Sequence, residues 1–168
     1  MAEEAVTTIQ MNNTHRAIYL KIADGKFERL GEGVNNFTPT NNPTVSTKHY
    51  INMKSPTNSI TAIAKQYSMS ADYIKGDPCL DFLESIEDQI GSKCVTELVD
   101  VDMSSPADGG SGSSYKAKKA NITISVAQPY SIEGGMNQQI EATFYVNGDQ
   151  AEGKFDTSTK TFTANSAS

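Results

Sequence analysis

Histidines, cysteines and clustered carboxylates are the residues from which catalytic and metal sites are most often built, and this chain holds few of them in useful spacing. Nucleophilic catalysis needs a general base beside the nucleophile. The two histidines, His15 and His49, each sit in a polar segment, and no Gly-x-Ser-x-Gly elbow is present. Cys79 and Cys94 lie fifteen positions apart, which is neither a disulfide framework nor metal-ligand spacing, so both are expected to be reduced packing residues. Asp81, Glu84, Glu87 and Asp88 have the spacing of a solvated helix face rather than of a paired acid and base.

Hard cations bind clustered carboxylate and carbonyl oxygens, and Asp100, Asp102, Ser104 and Asp108 place such donors close together. The EF-hand pattern fails there, because no Gly stands at the sixth position and no Glu at the twelfth. A weak calcium site is the alternative to a plain acidic loop. The stretch Gly109 to Ser114 lacks the Gly-Lys-Ser/Thr ending of a phosphate cradle. Tyr115, Lys116, Lys118 and Lys119 form the most basic stretch, one that suits phosphate or an acidic partner but reads first as a solvated strand edge that discourages pairing. No catalytic, metal or cofactor constellation emerges, and the expectation is a non-enzymatic protein without a cofactor.

The elements that would position these residues are mostly strands. The chain has 168 residues, enough for a single domain spanning 1–168 that buries roughly 70% of its unfolded surface. An Asp24-Gly25 turn joins the alternating run Ile18 to Ile22 to Phe27–Leu30 as a hairpin, with Ile18, Leu20 and Ile22 facing the core. Ile60 to Met69 reads as one strand, Ile60, Ala62 and Ala64 on one face and Ile63, Tyr67 and Met69 on the other, both covered. Asp77 as N-cap and Pro78 at the first position open a helix over 77–91, with Cys79, Leu83, Ile86 and Ile90 as its apolar stripe and Gly91 as its stop. Cys94 to Met103, Ala120 to Val126 and Ile140 to Val146 are further strands. Asn147-Gly148 then reads as a hairpin turn, followed by short strands around Lys154-Phe155 and Thr161–Thr163 across a turn at 156–159. Short alternating strands with one helix argue for a β-sandwich or barrel with the helix packed on its side.

Four segments do not fit a compact core: a flexible N-terminal arm over 1–16, a polar stretch over 35–59, a Gly/Ser-rich loop over 104–114 and a C-terminal tail over 164–168. Connections in compact domains are typically about 4–6 residues, and much longer ones are functional or disordered. Taken as a hairpin arm, 35–59 would run roughly twelve residues each way and reach about 40 Å, enough to lie across a neighbouring subunit.

Net charge is −6 with a pI near 4.9, which argues against a chain-wide electrostatic grip on nucleic acid. Mean hydropathy is −0.45, no stretch approaches a membrane span, and the start Met1-Ala2-Glu3-Glu4 has no signal-peptide character. The expectation is synthesis in a cytoplasm.

Four stretches in order resemble the major tail (tail tube) proteins of long, non-contractile-tailed bacteriophages, the siphophages, and of prophages of Gram-positive bacteria. They are Gly31–Val34 through Phe37, Asn42-Pro43-Thr44-Val45-Ser46-Thr47-Lys48-His49-Tyr50-Ile51, Ser70 through Gly76-Asp77-Pro78, and Val146-Asn147-Gly148-Asp149 through Phe155 to Phe162. The resemblance implies a tail-tube β-sandwich flanked by a helix, hexameric rings whose inner sheets join into a tube, and rings stacked through long loops and terminal arms. It also implies a virion tail assembled in the host bacterial cytoplasm, with a tape measure protein and tail initiator and terminator proteins as partners. Double-stranded DNA would pass through an acidic lumen without specific binding, and no membrane is involved. Asn42, Pro43, Thr47, Lys48, Tyr50, Ile51 and Met53 are the candidate self-assembly residues, with Tyr50, Ile51 and Met53 as apolar anchors. The chain stops soon after its last strand, so no appended immunoglobulin-like domain is expected. The alternatives are a carbohydrate-binding β-sandwich module, or another tail part such as a terminator or the inner tube of a contractile tail.

Overall fold

In a computed structural model, described over residues 9–107 and 112–166, one antiparallel sheet carries most of the chain. Its strands are β1 (Arg16–Ala23), β2 (Lys26–Leu30), β3 (Val34–Thr40), β6 (Gln66–Asp72), β7 (Val95–Pro106), β8 (Ser114–Ser131), β9 (Gln139–Asp156) and β10 (Thr161–Ala164). They are ordered β2-β1-β7-β8-β9-β6-β3, with β10 also paired to β9. A separate two-stranded sheet is formed by β4 (Pro43–Lys48) and β5 (Thr57–Ile63). An α-helix, α1 (Pro78–Ser85), lies between β6 and β7. The molecule is thus mainly β with a flanking helix, as the alternating pattern predicts.

Strand alternation sends neighbouring residues to two cores on opposite faces of the sheet. Leu20, Leu30, Tyr67, Met69, Leu98, Ile122, Ile140 and Phe144 form the larger, which α1 closes with Cys79, Leu80 and Leu83. Tyr19, Phe27, Val99, Val101, Ala117 and Phe155 form the smaller, lidded by Phe162 of β10. As expected, Leu20 is buried, with Ile18 and Ile22 packed against the same core. The sheet curls far enough that its outermost strands β2 and β3 are joined by only residues 31–33. Gly33 there has φ +76°, and a Cβ would stand 2.5 Å from the Asp72 carbonyl oxygen.

The helix is shorter than expected. Asp77 caps it, its carboxylate accepting from the backbone N–H groups of Cys79 and Leu80 at 3.0 Å. From Ile86 onward the chain tightens into three-residue turns, and Ile90 is 87% exposed, outside the buried stripe. Gly91 opens a short 3-10 turn, Gly91–Cys94, instead of ending the helix.

The Asn147-Gly148 signal does not reverse the chain. Gly148 takes a positive φ of 69°, but Asn147 pairs with Asn121 and Ala151 with Lys119, so two extra residues bulge out and β9 continues. The left-handed conformation is used in a bulge that bends a long strand. The insertion is even, so alternation keeps its phase on both sides. Lys116, Lys118 and Lys119 consequently lie on β8, between β7 and β9, and not on an edge. Lys118 faces Glu152 at 3.7 Å and Lys119 faces Glu97 at 3.7 Å.

Residues 60–69 also depart from expectation. They divide at Ala64 and Lys65 into an exposed β5 and a buried β6 in different sheets. Of the 35–59 stretch, the first part belongs to the main sheet as β3, where Phe37 stacks on Tyr67 at 5.1 Å. Of the segment 1–16, residues 1–8 lie outside the described residues; further on, Asn12 caps a 3-10 turn at Asn13–His15 through a reciprocal pair of hydrogen bonds with Thr14 and His15. In the 104–114 segment, strand β7 continues to Pro106 and β8 begins at Ser114.

Candidate assembly surface

The sites considered for chemistry separate in space. His15 accepts from the Asn12 backbone N–H, and His49 contacts the Met53 carbonyl oxygen at 3.0 Å. Cys79 and Cys94 are free and buried, the Cys79 thiol donating to the carbonyls of Glu28 and Arg29. Asp100 binds Arg16 at 2.9 Å, while Asp102 accepts from the Ser104 N–H and hydroxyl and the Ser105 hydroxyl. Asp108 lies outside the described residues, and among the described residues no group of three or more His, Cys, Asp or Glu has metal-holding geometry. Of the helix acids, Asp81 and Glu84 both accept the Tyr73 hydroxyl. Burial, and then these two carboxylates, hold the Tyr73 phenol well above its usual range.

What remains is the arm. Of the seven assembly residues expected from sequence, six lie on the β4–β5 hairpin or the turn at its tip, and Asn42 stands at its base. Asn42, with φ +43°, closes its base: its side-chain amide donates to the Ala64 carbonyl at 3.1 Å, and its own carbonyl accepts from the Ala64 N–H. Pro43 begins β4, where the absence of an N–H is tolerated. The Thr47 hydroxyl donates to the Asn58 side chain at 2.6 Å, and Lys48 pairs with Thr57. Tyr50 and Ile51 are exposed at the tip, whereas Met53 is partly buried.

Sequence reading missed the apolar face of this hairpin. Ile60 and Ile63 are three residues apart, and a regular strand would send them to opposite faces. A bulge at Thr61 shifts the register by one, so that Ile63 pairs with Pro43 and Ile60 with Val45. All four therefore share one face, opposite Thr44, Ser46, Ser59 and Ala62. Val45 is 54%, Ile60 65% and Ile63 61% exposed, and every residue of β5 is exposed. A two-stranded hairpin is marginally stable by itself. An apolar face on such an arm, uncovered by the chain's own core, has the character of a docking surface. Pairing Val45 with Ile60 across a bulge has no signal in simple alternation, which is why the pattern was not legible.

No family model matches the sequence, and no curated protein matches it. Solved structures share its fold, among them two from gene transfer agent particles. In the tail of an empty gene transfer agent particle, refined with C6 symmetry, the match has a TM-score of 0.61 at 14% identity, covering 84% of this chain and 98% of that chain. In the virion of a native gene transfer agent particle it has a TM-score of 0.59 at 12% identity, covering 92% of this chain and 100% of that chain. At this level of identity the likeness is one of fold: the chain is built as a component of a gene transfer agent's tail is built.

Proposed function

We propose that this chain is a structural tail protein that works by self-assembly: the tube subunit of a long, non-contractile phage-type tail, forming stacked hexameric rings around a DNA conduit. The fold it shares with a chain of a C6-symmetric tail, over 98% of that chain, carries this reading. The exposed hairpin supports it on physical grounds, since a surface that a monomer must hide is one that a polymer covers. On this reading its partners are further copies of itself, a tape measure protein and the tail initiator and terminator proteins. It resides in the virion tail and is assembled in the host bacterial cytoplasm. The net charge of −6 suits a wall past which DNA slides without adhering.

Electron microscopy of the purified chain over a rising concentration series tests the reading. Rings or hollow tubes with sixfold end views are the expected outcome. A monomer that stays dispersed at high concentration, together with its absence from the tail of the parent particle, would overturn it.

A further inference from the structure

Strand β6 separates two ends of the molecule. At its Gln66 end lies the base of the arm, and there the Val146 N–H donates to the Lys65 carbonyl. At its Asp72 end, roughly 20 Å away by strand rise, the Tyr73 N–H donates to the Gln138 carbonyl. The connection between β8 and β9 is therefore at the end remote from the arm. It bears a second exposed apolar group: Tyr130, Ile132 and Met136, with Ile132 81% exposed.

Charge divides in the same way. From Gly33 to Ala71 there is no Asp or Glu, while the arm carries Lys48 and Lys54, with Lys65 at its base. The remote end holds Asp72, Asp81, Glu84 and Glu133 beside Lys75. Asp72 is held there as an anion by side-chain amides of Asn35, Asn137 and Gln139. One end thus presents an apolar face flanked by cations, and the other an apolar group flanked by anions. The β6–β9 pairing keeps them apart within one molecule.

We infer that the Pro43, Val45, Ile60 and Ile63 face of the arm seats on Tyr130, Ile132 and Met136 of a second copy, with Lys48 and Lys54 turned to that copy's acids. This rests on the self-assembly reading and adds the receiving surface to it. A contact between two different ends is heterologous: a pair leaves one arm and one receiving end unused, so the contact continues from copy to copy, closing into a ring or extending along an axis. An apolar centre with a charged rim is the ordinary anatomy of a protein interface.

Two full-length variants test the contact, Ile60→Cys and Ile132→Cys; the native Cys79 and Cys94 are buried and give little background. Mixed under assembly conditions with a mild oxidant, they should give covalent dimer at no less than ten times the yield of either alone. The variant with both cysteines in one chain should give a ladder of covalent oligomers. Ile60→Cys cross-linking to itself as efficiently as in the mixture would overturn the contact in favour of arm-to-arm pairing. Tubes that form without cross-linking in the mixture would overturn the contact and leave the subunit reading standing. Failure of the unmodified chain to assemble at all overturns both. Independently, Ile132→Asp should raise the concentration needed for assembly at least tenfold with circular dichroism unchanged, and assembly at the unmodified chain's concentration would overturn the contact.

Discussion

Glu28 and Lys160 lie 132 positions apart in the chain and 2.8 Å apart in space. Glu28 is on β2, at one end of the strand order, and Lys160 is in the turn before β10 on the other side of β9. The ion pair spans the smaller core, above the contact of Tyr19 with Phe155 at 4.4 Å between ring centroids. Both partners remain partly exposed, so water screens their attraction. Lys160→Met is expected to cost at most about 1 kcal/mol, read as a fall in melting temperature of about 2–4 °C. A loss several times larger would mean that the aliphatic stem of Lys160 packs as well as pairs.

Gly153 is required for steric reasons. A Cβ on it would stand 2.2 Å from the Thr163 carbonyl oxygen and 2.7 Å from the Phe162 ring. Gly153→Ala should push β10 off the smaller core and destabilise the fold by about 1–3 kcal/mol. Gly134→Ala, where a Cβ meets nothing within 4 Å, is the neutral control. Limited proteolysis near residues 161–164 should distinguish the two.

Acid should weaken the protein through carboxylates that accept hydrogen bonds. The amide of Asn35, then those of Asn137 and Gln139, hold Asp72 below its usual range. At Asp102 burial opposes ionisation, but the Ser104 hydroxyl and N–H and the Ser105 hydroxyl outweigh it. At Asp156 the hydroxyls of Ser158 and Ser113 lead the same effect. A folded-state pKa below the unfolded one favours folding most above the ordinary carboxylate range and loses that advantage as pH falls through the folded value. Thermal melts should be flat from neutral pH down to about pH 5 and fall below about pH 4. Asp102→Asn should make the acid limb shallower.

Burial pushes the Cys79 thiol up to about 12, with the charges of Asp77 and Glu28 acting in the same direction. Thiolate is the reactive form. At pH 8, alkylation of Cys79 followed by site-resolved mass spectrometry should be at least about a hundredfold slower than for an exposed cysteine. Denaturation should remove the protection.

The arm and the core should respond oppositely to substitution. Ile60→Ser with Ile63→Ser removes apolar groups already exposed to solvent and is expected to change monomer stability by no more than about 0.5 kcal/mol. Phe144→Ala empties a fully buried site in the larger core and should cost about 3–5 kcal/mol. Denaturant titration of the monomer measures both.

The sequence by itself determined the β character, the Asp24-Gly25 hairpin, the Asp77-Pro78 helix start and the existence of a polar arm. Each is local: alternation, a cap or a turn dipeptide acts within a few residues. Composition marked only the polar stretch, whereas the seven candidate assembly residues within it came from the motif resemblance. Three matters were decided only in three dimensions. Asn147-Gly148 can make either a hairpin or a bulge, and the pairing of β8 with β9 on both sides of it selected the bulge. Ile90 fits the helical period but not the packing, because from Ile86, which is still buried, the chain tightens into three-residue turns and carries Ile90 out of the core. Ile60 and Ile63 share a face with Pro43 and Val45 only because one residue, Thr61, is left out of the β4–β5 ladder. Register is a property of two strands together, and a one-residue shift reverses which side chains are on a face. The surface on which assembly is proposed to depend therefore came into view only when the two strands were paired.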